Sequence, residues 1–418
     1  MADDSFRAPK GTHDVLPPDS ARWIEVVSTF ARRAERAGFG LLVTPVFEHL
    51  EVFERVGAST DVVRKEMYEL TDKGGRRLAL RPEGTAPVVR AFVQHRPTTP
   101  WKVWYLAPNF RYERPQKGRY RQHAQLGVEV IGTADPGVDV EVIALAAGFY
   151  RDLGLDTSLV INSMGDPETL EHFRATLRAY LLGHADSLGD DFRARVAENP
   201  LRVLDAKVPE WQDVIERSPQ MTESLSDEAA AHFERVQHGL DVLGIDYTID
   251  PHLVRGFDYY TGTTFEFQSS ALEAAQNALG GGGRYDRMAE EMGGPPTPGI
   301  GFGIGIERVL HALGERQDGS DRLDVFVVDT LGGDEGLRLL QQFREEGLRA
   351  DRAPTGRSMK AQWKAADRAR ATYGVLLAPD EFAREAVAVK AMAGDEGQAE
   401  LPLTEVVGWI KERVEALR

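Results

Sequence analysis

"NFRYERPQKGRYRQHAQLGVEV", residues 109–130, joins two apolar runs through a loop crowded with arginine. "WKVWYLAP" (101–108) leads in and "AQLGVEVIG" (124–132) leads out, and both have the composition of strands. Pro115 and Gly118 mark a turn between them. Arg111, Arg114, Lys117, Arg119 and Arg121 therefore sit on a loop between two strands, built to meet phosphates through planar, two-pronged hydrogen bonding. On an extended backbone Arg111 and Glu113 share one face, as do Gln125, Gly127 and Glu129. A sheet face carrying both signs of charge makes poor core. Taken alone, the segment would equally serve as an exposed hairpin laced with salt bridges.

Upstream, "PPDSARWIEVVSTFARRAERAGFG" (17–40) offers Asp19 or Ser20 as an N-cap, places Trp23, Val27, Phe30 and Ala34 at helical spacing, and stops at Gly38. "LLVTPVFEH" (41–49) reads as a strand whose Pro45 points to an edge or an interface. "RRLALRP" (76–82) is a further strand candidate, and "VDVEVIALAAGFYRDLGL" (138–155) a helix. From about 166 to 245 the texture turns helical, with polar outer faces rich in Glu and Arg, as a helical insertion would be. Strand texture returns at 253–267, and "GIGFGIGIERVLHAL" (299–313) looks like a strand running into a helix. After the polar linker "GERQDGSDR" (314–322), strand "LDVFVVD", a helix from about 334 to 346 and strand "YGVLLAP" alternate as in a small α/β domain.

The 418 residues suggest two or three domains, and 42% hydrophobic content supports a large core. Cysteine is absent, which excludes disulfides and thiolate metal sites and suits a reducing cytoplasm. The N-terminus lacks an apolar signal core, and no apolar run approaches membrane-spanning length. No His/Cys metal cluster is visible. A formal charge of −16 argues against general affinity for polyanions. Locally the balance reverses: residues 107–121 carry five basic side chains against one acidic, and residues 349–370 seven against two. Such patches on an acidic body bind a polyanion at chosen points, although a single charge run is more often a solvated face.

Four further segments carry chemistry. "LRPEGTAPVVRAF" (80–92) puts Glu83 and Thr85 at a turn before a helix; Glu83 could hold an ammonium group or merely compensate the helix dipole. "GGGGRYD" (280–286) and "GIGFGIGIERVL" (299–310) supply alternating glycines that bare one strand face for a flat ligand, with Arg308 in the first helical turn beyond. Their G-x-G-x-G spacing and late position do not match a dinucleotide-binding turn. "LVRGFDYYTGTTFEF" (253–267) sets Arg255 four and five residues before Tyr259 and Tyr260, a cation and two phenols that suit a ligand with an anionic centre beside a planar hydrogen-bonding group. The plain alternative is an aromatic core pair with a capping arginine.

Together these motifs resemble the bacterial histidyl-tRNA synthetase family of class II aminoacyl-tRNA synthetases, from end to end. "PKGTHDVLP" (9–17) is similar to that family's opening, and the first helix with "LLVTPVFE" to motif 1, the dimer element. "FRYERPQKGRYRQ" resembles motif 2 and "GIGFGIGIERVL" motif 3. "LVRGFDYYTGTTFEF" and "ALGGGGRYD" resemble the two histidine-specific segments, and "GRSMKAQWKAADR" (356–368) the anticodon-binding domain. The resemblance implies an α+β chain: a class II antiparallel-sheet catalytic domain over 1–319 with the helical insertion at about 166–245, then an α/β anticodon-binding domain over 320–418. It implies a homodimer in the cytoplasm that consumes ATP with Mg²⁺, activates L-histidine and charges tRNA(His).

The same resemblance assigns roles. Glu83 and Thr85 would hold the amino group; Gln125, Glu129, Tyr259 and Tyr260 would line the pocket for amino group and imidazole. Arg111 and Arg255 would be the catalytic cations between substrate carboxylate and α-phosphate. Glu113, Arg119, His123 and Arg308 would serve ATP, Arg114 and Gln116 the acceptor end of the tRNA, and Arg357, Lys360, Lys364 and Arg368, on one helical face, the anticodon stem. One departure is visible: the family usually has an aromatic residue and then histidine before the motif 2 glutamine, where this chain has His123 and Ala124. Retuned ATP affinity is the expected consequence. The competing resemblance is to a catalytically silent paralogue, the histidine-binding regulatory subunit of ATP phosphoribosyltransferase. That protein typically lacks the anticodon-binding domain and has degraded signatures, whereas Arg255, both tyrosines, the motif 2 arginines and a basic C-terminal segment are all present here.

Overall fold

A computed structural model describes residues 6–57, 60–116, 118–272, 277–314, 322–393 and 397–417. Lys117, most of the 314–322 linker and the expected 319/320 boundary lie outside the described residues. Two units separate: Met1–Val15 with Arg22–Glu315, and Leu16–Ala21 with Arg316–Arg418.

The first unit contains β1 (Gly40–Leu41), β2 (Phe47–His49), β3 (Tyr68–Thr71), β4 (Arg77–Leu80), β5 (Trp101–Phe110) and β6 (Gln122–Ile131). It continues with β7 (Ser158–Ser163), β8 (Thr248–Ile249), β9 (Thr261–Gln268), β10 (Ala278–Arg284) and β11 (Gly299–Gly305). Eight of these form one sheet in the order β1-β5-β6-β11-β10-β9-β7-β8. Every pairing from β5 to β7 is antiparallel, and only the edge strands β1 and β8 pair parallel. Strands β2, β4 and β3 make a separate small sheet.

Alternation along the strands decides what each face of the large sheet does. Leu126, Val128 and Val130 of β6, Phe265 and Phe267 of β9, and Ile300, Phe302 and Ile304 of β11 are buried in one cluster. Val26, Phe30 and Ala34 of helix Asp19–Arg36, Ile143 and Phe149 of helix Pro136–Asp152, and Val236 and Leu240 of helix Asp227–Val242 complete it. Each such aliphatic or aromatic side chain contributes roughly 1.5–3 kcal/mol on burial. The intervening residues of the same strands face the other way, and there the side chains are glycine, glutamine, glutamate and threonine.

The expected strand 41–49 is interrupted. Residues 42–46 carry no strand pairing, and the flanking pieces β1 and β2 belong to different sheets. Proline at 45 has no N–H to give a ladder; instead the carbonyls of Thr44 and Pro45 accept from the buried Arg81 guanidinium at 3.1 and 3.2 Å. The polar helical stretch divides between two cores. Helix Pro167–Leu188 and the shorter helices after it enclose their own cluster, including Phe173, Leu177, Phe192 and Trp211. Helix Asp227–Val242, capped by Ser226, packs on the main sheet instead.

The second unit is a five-stranded sheet, β13 (Ala350–Arg352), β12 (Val325–Asp329), β14 (Tyr373–Leu377), β15 (Ala386–Ala391) and β16 (Ala399–Pro402), neighbours in that order. Pairings around β12 are parallel and those of β15 antiparallel. Helices Asp334–Glu345 and Val406–Leu417 cover one face and helix Met359–Arg368 the other. The α/β alternation expected from the sequence is realised here.

Candidate active site

The polar face of the large sheet is organised by register. One row across five strands reads Glu266, Gly281, Gly303, Gly127, Tyr105, and the next reads Thr264, Gly283, Gly301, Glu129, Val103. Three glycines side by side open a trough about 10 Å wide at ordinary strand spacing. The floor has no side chains of its own, and the groups that lean over it come from its margins. A methyl group on Gly301 would collide with the Glu129 carboxylate, one on Gly303 with the Gln125 amide and one on Gly127 with the Tyr105 hydroxyl. At Gly281 it would come 2.9 Å from the Arg255 guanidinium, and at Gly283 2.9 Å from the Tyr260 ring. The glycine face expected to lie bare is therefore covered by the protein's own polar groups, so that a ligand meets these rather than backbone.

At one end stands Glu129, fully buried. Thr85 donates its hydroxyl to Oε1 at 2.7 Å, Tyr285 donates to Oε2 at 2.6 Å, and Tyr105 lies 3.4 Å from Oε1. Burial outweighs these hydrogen bonds and pushes the carboxyl up to about 8. Glu83 is also buried, and its carboxylate accepts the amides of Thr85 and Ala86 at 2.7 and 2.6 Å, at the start of helix Thr85–His95. Burial raises its pKa, while those amides and the Arg111 charge oppose the rise. Glu83 thus does serve the helix terminus, as the plainer sequence reading had it, and also faces the Arg111 charge. Tyr259 stacks on Phe257 with ring centroids 5.1 Å apart and meets Tyr285 edge-on at 6.3 Å. Tyr260 tilts against Tyr259 at 4.8 Å.

Toward the other end the charges turn positive. Strand β5 stops at Phe110, so Arg111 and Glu113 lie on the loop rather than on a shared strand face. The Glu113 amide donates to the Arg111 carbonyl at 2.8 Å, a tight turn that ends the extended run. Arg111 donates Nε to the Pro82 carbonyl at 2.9 Å, and its guanidinium sits 5.5 Å from the centre of the Phe257 ring. The Gln116–Arg119 bridge closes the loop around Gly118, whose φ of +76° suits glycine. Arg114 and Gln116 are exposed at its tip. Arg119 pairs with Glu113 at 3.7 Å. Arg308 is half-buried at the start of helix Ile306–Ala312; burial first, then the Arg119 charge, lowers its pKa, so two cations crowd one another. His123 is held neutral, pushed down to about 3 by burial and by Arg111. Arg255 forms an ion pair with Glu266.

In the second unit, Lys360, Lys364 and Arg368 are exposed on helix Met359–Arg368 and form no ion pair among the described residues. Arg357 is not on that helix. Ser358 caps it, and the Arg357 carbonyl is held from within by the buried Gln362 amide at 3.0 Å.

Sequence reasoning missed Tyr105, Tyr285, Asn109 and Glu266. Asn109, fully buried, donates to the Gln125 side chain at 2.6 Å and so orients it. The signal for Glu266 was present: it alternates with Phe265 and Phe267, an acid on the polar side of a strand whose other side is core. Tyr105 and Tyr285 lie in quoted segments, but only the packed sheet brings their hydroxyls to Glu129.

A six-strand antiparallel core with one greasy face, a polar glycine trough on the other and arginines on the loop between its first two strands is the catalytic architecture of the class II aminoacyl-tRNA synthetases. Comparison with known proteins specifies further. The family described as "Histidyl-tRNA synthetase" matches residues 11–309, and that described as "Anticodon binding domain" matches 325–413. A histidine–tRNA ligase of Geobacillus kaustophilus is 46% identical over 98% of this chain and 99% of its own. One of Rubrobacter xylanophilus is 47% identical over 90% of this chain and 92% of its own. The crystal structure of apo histidyl-tRNA synthetase from S. aureus covers 97% of this chain and all of its own, with a TM-score of 0.80 at 35% identity. The chain belongs to the histidyl-tRNA synthetase family.

Proposed function

We propose that the chain is a histidine–tRNA ligase in which the glycine trough assembles histidyl-adenylate from L-histidine and ATP, for transfer to the 3′ end of tRNA(His). The observation that carries this reading is the division of the trough into an uncharged hydroxyl-and-carboxyl end around Glu129 and a cationic end around Arg111, Arg255, Arg119 and Arg308. The imidazole meets Glu129, Tyr259 and Tyr260, while Glu83, Thr85 and Gln125 take the amino group. A pocket that hydrogen-bonds a polar side chain rejects apolar competitors strongly, so no editing site is needed.

Arg111 and Arg255 bracket the substrate carboxylate and the α-phosphate. A carboxylate oxygen attacks the α-phosphorus, the bond to the β-phosphate oxygen breaks, and pyrophosphate leaves toward Arg119 and Arg308. Fixed guanidinium groups meet charge that grows on phosphorus, so the chemistry rests on positioning and electrostatics. His123 lies against adenine, with Glu113 bracing Arg119 through their ion pair. The Glu113 and Glu266 carboxylates are each committed to an arginine; Mg²⁺ would therefore travel with the ATP phosphates, screening them. A ribose hydroxyl of the tRNA then attacks the activated carbonyl, forming the ester and releasing AMP. Arg114 and Gln116 face the acceptor end, and Arg357, Lys360 and Lys364 the anticodon stem.

We assign catalysis to residues 1–319, with the helical insertion at about 166–245, and tRNA recognition to 320–418. Homodimerisation in the cytoplasm completes the proposal: β1 is a sheet edge, and beside it Leu41, Val43 and Phe47 are 57%, 78% and 53% exposed. No helix among the described residues is long and apolar enough to cross a membrane. Histidine-dependent ATP–pyrophosphate exchange tests the reading. The chain should exchange with histidine and not with other amino acids, and Arg255→His should abolish exchange while histidine binding by calorimetry persists. Absence of exchange would instead favour the regulatory-subunit alternative, which the match to an anticodon-binding domain at 325–413 disfavours.

A further inference from the structure

We propose that Glu266 is a positioning residue for Arg255: it grips one edge of the guanidinium so that the other edge faces the trough, and it stands in the phosphate end of the trough as a resident anion. Glu266 and Gly281 are register partners on β9 and β10, so nothing rises between the Glu266 side chain and the space above Gly281 where Arg255 lies. The carboxylate pairs with Arg255 Nη1, and both side chains are more than four-fifths buried, at 16% and 18% exposure. Glu266 is itself anchored. Gln268, two residues on and hence on the same face, donates Nε2 to Glu266 Oε1 at 3.0 Å, and Asn277 donates to Gln268 Oε1 at 3.0 Å. Arg255 is thus the end of a braced chain crossing two strands.

A guanidinium is a flat fork, and a carboxylate fixed on one nitrogen sets the plane of the others. Here Nε of Arg255 is buried and meets no acceptor among the described residues, and Nη2 lies over Gly281. A buried donor left without a partner is costly, so an oxygen arriving there is bound well. The Glu266 charge also reaches Arg308 and Asp205, which places it among the groups at the cationic end. A plain structural ion pair would not need its anchor aimed into a trough. The two roles of Glu266 act oppositely on kinetics. Aiming Arg255 raises the rate of the chemical step, while a negative charge near incoming phosphates weakens ATP binding.

The inference rests on the reading of Arg255 as the α-phosphate cation, and the test separates the two. In full-length chain, histidine-dependent ATP–pyrophosphate exchange is measured for Glu266→Gln, Gln268→Met and Arg255→Gln, with thermal unfolding of each. Glu266→Gln should lower kcat by roughly tenfold through lost aim and lower KM for ATP, leaving KM for histidine unchanged. Gln268→Met, which loosens the anchor but keeps the charge, should lower kcat less and leave KM for ATP unchanged; it carries the test if the first variant does not fold. Unchanged kcat and KM in both variants, or KM for both substrates rising together with a lower Tm, overturns the inference. If Arg255→Gln itself retains exchange, the reading of Arg255 fails first.

Discussion

At Glu129 a carboxyl group keeps its proton where most would lose it. In the unfolded chain it ionises near the ordinary value of 4.5, whereas in the folded chain burial moves this up to about 8. Between those values the unfolded state releases a proton that the folded state retains. Its contribution to stability is therefore complete below about pH 4.5 and is lost as pH rises through about 8, at about 1.4 kcal/mol per pH unit at most. Glu129→Gln keeps the shape and cannot ionise, so its Tm relative to the parent should climb as pH is raised across that window; a constant difference in calorimetry would contradict the assignment. His123 is the complementary case. Its imidazole stays neutral throughout the working range, so it differs from a phenyl ring mainly in stacking area. His123→Phe should lower KM for ATP by roughly two- to tenfold, the worth of a better aromatic contact, with KM for histidine unmoved. An unchanged KM for ATP would remove His123 from the adenine site.

Glycine placement is the property of the strands on which the site depends. Gly301 on β11 faces Glu129 on β6 directly, and its missing side chain is where the carboxylate lies. Gly301→Ala cannot be absorbed by a flexible chain end, because Glu129 is pinned by Thr85 and Tyr285. Exchange activity at limiting histidine should fall about 100-fold or more, as misplacement of aligned groups does, while circular dichroism and ATP binding remain close to the parent. Retained activity would show that Glu129 does not need its position. Many of the longer strands and helices were legible in the sequence, because periods of 2 and 3.6 are local signals, whereas β3, β7, β13, β15, β16 and helix Val406–Leu417 were not among those read from it. So was the polarity of β6, where Gln125, Gly127 and Glu129 alternate with Leu126 and Val128. The row Glu266, Gly281, Gly303, Gly127, Tyr105 was not legible, since it is a matter of register between strands far apart in the chain, the paired Gly303 and Gly127 being 176 residues apart, and register depends on pairing that no single segment encodes. For the same reason Pro45 signalled an irregular edge correctly, but not that the strand would break into two sheets.

For the molecule as a whole the central tension is charge. A chain with a formal charge of −16 is proposed to bind a polyanion, so its cations must be concentrated and left unneutralised where the nucleic acid arrives. In the second unit the two lysines four residues apart on helix Met359–Arg368 satisfy that condition, being exposed and without a carboxylate partner among the described residues. In the first unit the loop arginines are partly neutralised, Arg119 by Glu113, which fits the proposed release of pyrophosphate from this end of the trough. Chemistry and tRNA affinity should therefore separate by unit. Lys360→Glu with Lys364→Glu should leave histidine-dependent exchange at the parental level and raise KM for tRNA in aminoacylation by tenfold or more, with the log–log salt slope reduced by about 1 per lysine. Stopped filter assays at two or three salt concentrations give both quantities. A double variant that charges tRNA normally at every salt concentration would move the binding surface off this helix; one that also loses exchange would show that the lysines support the fold rather than the nucleic acid.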